Sequence, residues 1–256
     1  DDYDREFEAL QLGLVRFQQG AMESGEKDLV IFEGRDAAGK DGAIKHVMSG
    51  INPAGCQVHA FRAPGPDELE HDFLWRAARA LPERGRIGIF NRSYYEEVLA
   101  GRVNRDFLKP QKPPADVDDK DLWKDRFESI RAFEAHLHRN GTRVSKFYLH
   151  VSREEQRERF LARIDDPEKN WKMNPQDVAV RRQWKNYMKP YEACLRATST
   201  KNSPWYVIPA DDKKNARLII AQIIVQTMKQ LDMSYPKATA KHRKELQALR
   251  KELAKD

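Results

Sequence analysis

The 256-residue chain has little cysteine and no long apolar run. Cys56 and Cys194 are its only cysteines, which excludes a disulfide-rich scaffold and leads us to expect a reducing, cytoplasmic compartment. No apolar stretch approaches the ~18 residues of a transmembrane helix, so we expect no membrane-spanning helix. Internal repeats and low-complexity tracts are also absent. A chain of this length fits one domain with a subdomain, and we treat residues 1–256 as a single domain.

Positive charge is concentrated in two zones. The formal net charge is +6, but residues 168–201 carry eight basic residues against three acidic ones, a net charge of +5. Residues 237–256 carry seven against three, a net charge of +4, so the rest of the chain is net −3. Such zones predict a polyanionic partner, and nucleic acid, a phosphate compound or anionic lipid would each fit.

The alternation of strand and helix signals predicts an α/β fold. Five short runs rich in β-branched or aromatic residues predict strands at 28–33, 57–62, 86–91, 143–151 and 205–209. Helical spacing of apolar residues predicts helices at 4–22, 40–51, 67–81, 94–100, 122–140 and 215–231. Because the strands are almost continuously apolar, we expect a parallel sheet that is covered on both faces.

Three segments stand apart from this alternation. Residues 152–200, which we call the lid, have no strand signal and predict a helical hairpin with a break at 165–167. Residues 103–119 are proline-rich and predict a loop. Residues 236–256 predict a basic helix, exposed or packed on a partner chain.

The segment GRDAAGKDG at 34–42 contains G-x-x-x-x-G-K between a strand and a helix, the pattern of a phosphate-binding loop (P-loop). Glycines let successive N–H groups point into one concavity, and the following helix adds its positive N-terminal end. Lys40 then brings a charge to the terminal phosphates. The sequence therefore predicts phosphate binding at this loop.

The residue after Lys40 departs from the usual pattern. A Ser or Thr that binds Mg²⁺ commonly stands there, but this chain has Asp41. Asp36 lies inside the loop, and a carboxylate among phosphates needs a cation between them, so Asp36 is a candidate metal ligand. Asp36 as a turn-closing carboxylate, and Asp41 as a helix-N-terminal acid, remain the alternatives.

The third strand ends in Asn91-Arg92. Ligands of parallel α/β sheets bind beyond the carboxyl ends of the strands, so both side chains should face the P-loop. Asn91 stands where a P-loop enzyme often has a metal-binding Asp, and Arg92 is well placed for phosphate. A surface ion pair of Arg92 with Glu96 or Glu97 is the alternative.

Taken together, these motifs resemble the family-2 polyphosphate kinases. The resemblance rests on GRDAAGKDG at 34–42, FNRSYYEEVL at 90–99, RFLARIDDPEKNWK at 159–172, RRQWKNYMKPYE at 181–192 and PWYVIPADDKKNAR at 204–217. It covers the chain from about residue 5 to residue 232. The combination is specific, because ordinary nucleotide kinases lack both the loop Asp followed by Lys-Asp and the DPxKxWK run.

The resemblance implies a P-loop kinase fold close to thymidylate kinase: three layers, a central five-stranded parallel sheet and a helical lid. It also implies reversible, Mg²⁺-dependent transfer of phosphoryl groups from inorganic polyphosphate to AMP or ADP, with Mn²⁺ as a second metal candidate. The catalytic positions would be Asp36, Lys40, Asn91, Arg92 and Arg163, with Asp36 and Asn91 at the metal. The phosphate-binding positions would be Gly34, Arg35, Ala37, Ala38, Gly39, Asp41, Lys169 and Lys172. Asn91 resembles the subgroup that accepts both AMP and ADP, guanine nucleotides are a further candidate, and the family forms dimers or tetramers.

The basic lid agrees with this expectation, since polyphosphate offers no bases to recognise and needs a channel of cations. We therefore expect polyphosphate as the partner, and neither nucleic acid nor a membrane. Any single lid cation could instead be a solvated helix charge. Trp171, Trp184 and Tyr187 lie among these cations and could stack on bases, although packing of the lid is the simpler interpretation. Two rival functions stay open at this point: an ATP-dependent nucleoside monophosphate kinase, and a nucleic-acid-binding module without catalysis.

Overall fold

The five predicted strands form one parallel sheet in the computed structural model of the protein, which describes residues 2–114, 118–229 and 238–254. The strands are β1 Lys27–Gly34, β2 Cys56–Ala60, β3 Ile87–Asn91, β4 Thr142–His150 and β5 Trp205–Pro209. Their order across the sheet is β2-β3-β1-β4-β5. In the register of the central pairs, Phe32 lies beside Asn91 on one side and beside Phe147 on the other. The carboxyl ends of β1, β3 and β4 therefore meet at one edge, where the P-loop begins.

The described residues also form eleven helices. They are α1 Asp2–Ser24, α2 Lys40–Val47, α3 Pro66–Leu69, α4 Trp75–Arg79, α5 Glu96–Val103, α6 Asp119–Arg139, α7 Arg153–Asp165, α8 Pro175–Arg182, α9 Trp184–Thr198, α10 Lys213–Lys229 and α11 Ala240–Leu253. Short 3-10 helices add Pro53–Gly55, Arg105–Phe107, Lys109–Gln111 and Asn170–Lys172. The 103–119 segment thus holds two 3-10 turns within a predicted loop, and its residues 115–117 lie outside the described residues.

The helices form a layer on each face of the sheet. Alternate residues of β1 pack into different cores, because side chains alternate between the faces of a strand. Val30 and Phe32 join α1, α2 and α10, whereas Leu29 and Ile31 join α4, α5, α6 and α9. The central strands are buried, but the edge strands β2 and β5 are partly exposed. The predicted three-layer α/β fold is confirmed, with exposed edges.

Two of the predicted helical segments are divided differently from expectation. The single helix predicted for 67–81 is wrong, since α3 ends at Leu69 and α4 begins only at Trp75. Asp72 lies in this break and accepts a hydrogen bond from the Leu74 N–H at 2.8 Å. In the lid, α7 ends at Asp165 and the following chain forms two helices instead of one. Asn174-Pro175 starts α8 because the Asn174 side chain caps it and Pro175 has no N–H to satisfy.

The last helix of the described chain, α11, exposes every one of its residues. Leu246, Leu249 and Leu253 are 46%, 52% and 73% exposed, so the described residues do not cover the apolar face of this helix. The rest of the predicted tail, residues 236–237 and 255–256, lies outside the described residues. Among the described helices, none has the length and apolarity that a membrane crossing requires.

Candidate active site

The P-loop between β1 and α2 has the backbone shape that its glycines permit. Gly39 has φ of 101°, a left-handed conformation that favours glycine, immediately before the first residue of α2. Gly34 lies against β4, and a Cβ added there would be 2.8 Å from the Leu149 carbonyl oxygen. Both positions therefore require glycine, one for its conformation and the other for close approach.

Lys40 is the buried cation of this loop. Its Nζ donates to the carbonyl oxygens of Gly34 at 2.7 Å and Arg35 at 3.3 Å, and the residue is 7% exposed. Burial lowers the pKa of Lys40, and the neighbouring Arg92 charge lowers it further. Within the described residues, no carboxylate oxygen lies within 4 Å of this ammonium. Its charge is thus held by neutral acceptors, which leaves it available to an anion.

Helix α7 of the lid holds the P-loop through one face. Gln156 Nε2 donates to the Asp36 carbonyl at 2.9 Å, and Arg159 Nη1 donates to the carbonyls of Ala37 and Ala38 at 2.9 and 3.0 Å. Arg163 Nη1 lies 3.4 Å from the Asp36 carboxylate. Residues three and four apart share a helix face, so this one face fixes three successive loop residues.

The end of β3 brings polar groups to the same edge of the sheet. Asn91 Nδ2 donates to Asp41 Oδ1 at 2.6 Å, which connects β3 to the first turn of α2. Arg92 has φ of 63°, an uncommon conformation for a non-glycine residue. Its Nη1 lies 3.5 Å from Glu96 Oε1, so the ion pair that we considered as an alternative is present.

A buried acidic group lies beneath this edge. Glu33 is fully buried and accepts a hydrogen bond from Ser93 Oγ at 2.8 Å, and its Oε2 has no hydrogen-bond partner among the described residues. Burial and the nearby Glu96 carboxylate raise the pKa of Glu33 well above its ordinary value. Burial therefore disfavours a negative charge at this position.

A cavity of about 490 Å³ opens above the P-loop. Nine of the predicted site residues line it: Asp36, Ala37, Gly39, Lys40, Asp41, Asn91, Arg92, Arg163 and Lys169. Four predicted residues are not part of its lining: Gly34, Arg35, Ala38 and Lys172. Lys169 also bonds to Asp166, while Lys172 lies over the ring of the exposed Trp171.

Sequence reasoning missed three cations of this cavity: Arg62, Arg159 and Lys213. Arg62 follows β2 and Lys213 begins α10 after β5, so both lie at the strand ends where ligands bind. Applying the strand-end argument to every strand would have found them. Arg159 could have been found from its spacing to Arg163 on one helix face. The described lining thus has seven cations and two carboxylates, and several of the cations, Arg92, Arg159 and Lys169 among them, also pair with carboxylates outside it, so the cavity is net positive.

The oxygen donors around the P-loop are suited to a magnesium ion. Asp36, Asp41 and Asn91 offer carboxylate and amide oxygens to the same cavity. In the described residues no three His, Cys, Asp or Glu side chains form a metal-binding group of their own. Mg²⁺ commonly takes one or two protein oxygens and completes its shell with phosphates and water, so this donor set fits.

A P-loop lysine in a positively charged cavity beneath a helical lid, at the strand ends of a parallel sheet, defines a protein of the P-loop kinase fold. The similarity to known proteins is more specific. The model of the polyphosphate kinase 2 (PPK2) family matches residues 1–236, and the chain belongs to that family.

Two curated relatives and one solved structure illustrate this similarity. The chain is 58% identical over 228 residues to an ADP-polyphosphate phosphotransferase of Rhodopseudomonas palustris, covering 89% of this chain and 79% of the relative. It is 43% identical over 214 residues to an AMP/ADP-polyphosphate phosphotransferase of Meiothermus ruber, covering 84% and 76%. The crystal structure of polyphosphate kinase 2 from Arthrobacter aurescens matches with a TM-score of 0.85 and 35% identity, over 94% of this chain and 84% of the other.

Proposed function

We propose that this protein transfers phosphoryl groups between inorganic polyphosphate and AMP or ADP, forming ADP or ATP. The observation that carries the proposal is the cavity at the P-loop, whose described lining has seven cations, Lys40 among them, and two carboxylates. Polyphosphate has about one negative charge per unit and no other recognisable group, so it needs such a lining of cations.

The reaction needs no strong general base. A nucleotide phosphate is an oxyanion at neutral pH, and one of its oxygens attacks the terminal phosphorus of the polymer. A new P–O bond forms, the bond to the bridging oxygen breaks, and that oxygen leaves with its electron pair on the shortened polymer. Because donor and product are both phosphoanhydrides, we expect the reaction to be reversible.

Catalysis then rests on positioning and on neutralising charge. Lys40 is placed to stabilise charge on the transferred group and the P-loop N–H groups to hold it. Arg92 and Arg163, which both line the cavity, would neutralise the leaving and attacking phosphates. Arginines with this role contribute on the order of 10³–10⁵ in related phosphoryl transfers. The lid excludes water, which limits competing hydrolysis.

A divalent metal belongs to the proposal, with Mg²⁺ first and Mn²⁺ second. Asp36 and Asn91 would hold it, with Asp41 nearby. The ion would supply Lewis-acid neutralisation of the phosphate oxygens. The Asp36 carboxylate now lies 3.4 Å from Arg163, so metal and arginine would share this carboxylate's charge.

The acceptor is inferred from the relatives. One of the two is named for ADP and the other for both AMP and ADP, and the Asn at position 91 favours the wider range. An ATP-dependent nucleoside monophosphate kinase is not favoured, since both relatives are named for polyphosphate. Assembly into dimers or tetramers, a cytoplasmic location, and the absence of nucleic-acid and membrane partners stay predictions.

The test is a substrate matrix with AMP, ADP, GMP and GDP, each with polyphosphate and Mg²⁺ and run in both directions. We expect ADP and ATP to form from AMP and ADP, with no product when Mg²⁺ is removed with a chelator. An arm with AMP and ATP but no polyphosphate tests the kinase alternative. No nucleotide product at any polymer length would contradict the proposal, and so would equal activity without polyphosphate.

A further inference from the structure

Arg35 belongs to the P-loop, but its guanidinium group lies in the lid. The residue is 5% exposed, and its Cζ is 4.1 Å from the ring centroid of Trp184 and 5.2 Å from that of Tyr187. Its Nη2 is 3.4 Å from the Val180 carbonyl oxygen, at the end of α8. Arg35 thus joins the loop after β1 to both α8 and α9, far along the chain.

This arginine is buried without a counter-charge. Its Nε and Nη1 have no hydrogen-bond partner in the described structure, and no carboxylate forms an ion pair with it there. Burying a guanidinium group is costly, and aromatic stacking is the interaction that offsets the cost here. The contact therefore depends on Trp184 and Tyr187 being in place, which happens only when the lid is packed on the P-loop.

The backbone of the same residue takes part in placing Lys40. The Arg35 carbonyl oxygen accepts from Lys40 Nζ at 3.3 Å and from the Ala38 N–H at 3.1 Å. On the other side of the loop, Gln156 and Arg159 of α7 bond to the next three carbonyls. The lid therefore holds the loop from two sides, through α7 and through the Arg35 side chain.

We propose that Arg35 is a positioning residue: its stack on Trp184 and Tyr187 latches the lid to the P-loop and so couples lid closure to the placement of Lys40. Arg35 then acts through Lys40 and the lid, not by contact with phosphate. The sequence resemblance had made it a phosphate-binding position. The two roles predict different results.

The test is a double-mutant cycle of Arg35→Lys and Trp184→Leu. Each single variant should lower kcat about 10- to 100-fold, change the KM for polyphosphate less than about threefold, and raise orthophosphate release per transfer. In the Trp184→Leu background, Arg35→Lys should add less than twofold, because the latch is already broken. Trp184→Phe keeps a ring and should recover most of the wild-type kcat.

A second readout needs no activity. Without substrate, amide hydrogen exchange across residues 175–198 should be at least tenfold faster in Arg35→Lys than in the wild type. Arg79→Lys is the matched control, because Arg79 stacks on Trp75 at 4.6 Å on an exposed surface, and it should change neither exchange nor kcat.

The proposal is overturned if Arg35→Lys costs equally in both backgrounds and mainly raises the KM for polyphosphate, as direct phosphate binding would require. Unchanged exchange in the lid overturns it as well. The kinetic readout rests on the proposed function, but the exchange readout does not. An inactive wild-type protein would therefore contradict the proposed function while the latch is still tested.

Discussion

Two buried lysines of this protein have opposite environments. Lys146 in β4 is fully buried, and its Nζ donates to Glu134 Oε2 at 2.6 Å, to Tyr95 OH at 2.9 Å and to the Thr198 carbonyl at 2.9 Å. All three of its protons are bonded and its charge is matched by a carboxylate. Lys40 is almost as buried, but in the described part of the chain it has two carbonyl partners and no carboxylate within 4 Å.

The difference separates a structural charge from a functional one. Burial lowers the pKa of both lysines, and Glu134 opposes that effect at Lys146 through an ion pair and a hydrogen bond. At Lys40 the opposing carboxylates act only through space, and the nearby Arg92 adds repulsion. The Lys40 ammonium group lines the cavity and forms hydrogen bonds only to neutral carbonyl oxygens in the described structure, so it can bind a phosphate group there. Lys146 instead connects β4 and α6 to the C-terminal end of the lid.

The largest expected effect is the loss of phosphoryl-transfer activity when Lys40 is replaced. Lys40→Met should lower the transfer rate at least about 10³-fold, because charge on the transferred group loses its main stabiliser. The melting temperature should change by less than about 3 °C, since the lost carbonyl hydrogen bonds are offset by removal of a buried charge. Steady-state kinetics and thermal melts measure the two effects. Lys45→Met, on the exposed side of α2, is the matched control and should behave as wild type.

The second effect is on stability, at Lys146. Lys146→Met leaves the Glu134 carboxylate buried without its cation and should cost about 3–5 kcal/mol of unfolding free energy. Denaturant melts should show this loss, and adding Glu134→Gln should recover most of it. Lys109→Met, which breaks an exposed ion pair with Asp106, should cost less than about 1 kcal/mol. A folded Lys146→Met protein of unchanged stability would contradict the structural role.

The smallest of the three effects concerns a buried carboxyl group that, within the described ranges, neither forms an ion pair, as Lys146 does, nor lines the P-loop cavity, as Lys40 does. Asp28 in β1 is 4% exposed, its Oδ2 has no hydrogen-bond partner among the residues that the structure describes, and burial raises its pKa to about 7. The unfolded chain ionises this group near pH 4, so the folded state loses stability as pH rises from about 4 to 7. Between pH 5 and pH 8 the loss should be about 3 kcal/mol.

Asp28→Asn should remove this pH-dependent loss, because Asn has no proton to release. Unfolding free energies of both proteins at pH 5 and pH 8 measure this loss. The stability of Asp28→Asn relative to the wild type should be higher at pH 8 than at pH 5. An equal difference between the two proteins at both pH values would show that Asp28 does not titrate with a raised pKa.

The strands and the P-loop could be predicted from the sequence because both leave local signals. Runs such as 28–33 and 143–151 are apolar and β-branched wherever they lie, and GRDAAGKDG requires only its flanking strand and helix. The division of the lid also had a local signal, the Asn174-Pro175 pair, which the hairpin interpretation did not use. The partial exposure of β2 and β5 follows from their places at the edges of the sheet. The sequence of each strand by itself does not contain this strand order.

The side-chain pairings could not be predicted, because they join residues far apart in the chain. Arg35 and Trp184 are separated by nearly 150 residues, and Lys146 meets Glu134 and Thr198 only once α6 and α9 pack on the sheet. The charge of Arg159 did not distinguish it from the other lid cations, although Arg159 is the one that bonds to the Ala37 and Ala38 carbonyls. Distance and burial in the folded chain make that distinction.

The most direct test of the account is a ³¹P NMR measurement of the wild-type protein with polyphosphate, ADP and Mg²⁺, beside Lys40→Met. We predict that the γ-phosphate signal of ATP grows as the signal of internal polyphosphate units falls, with little orthophosphate, and that Lys40→Met shows neither change. Orthophosphate as the only product, or ATP formation by Lys40→Met at the wild-type rate, would contradict it.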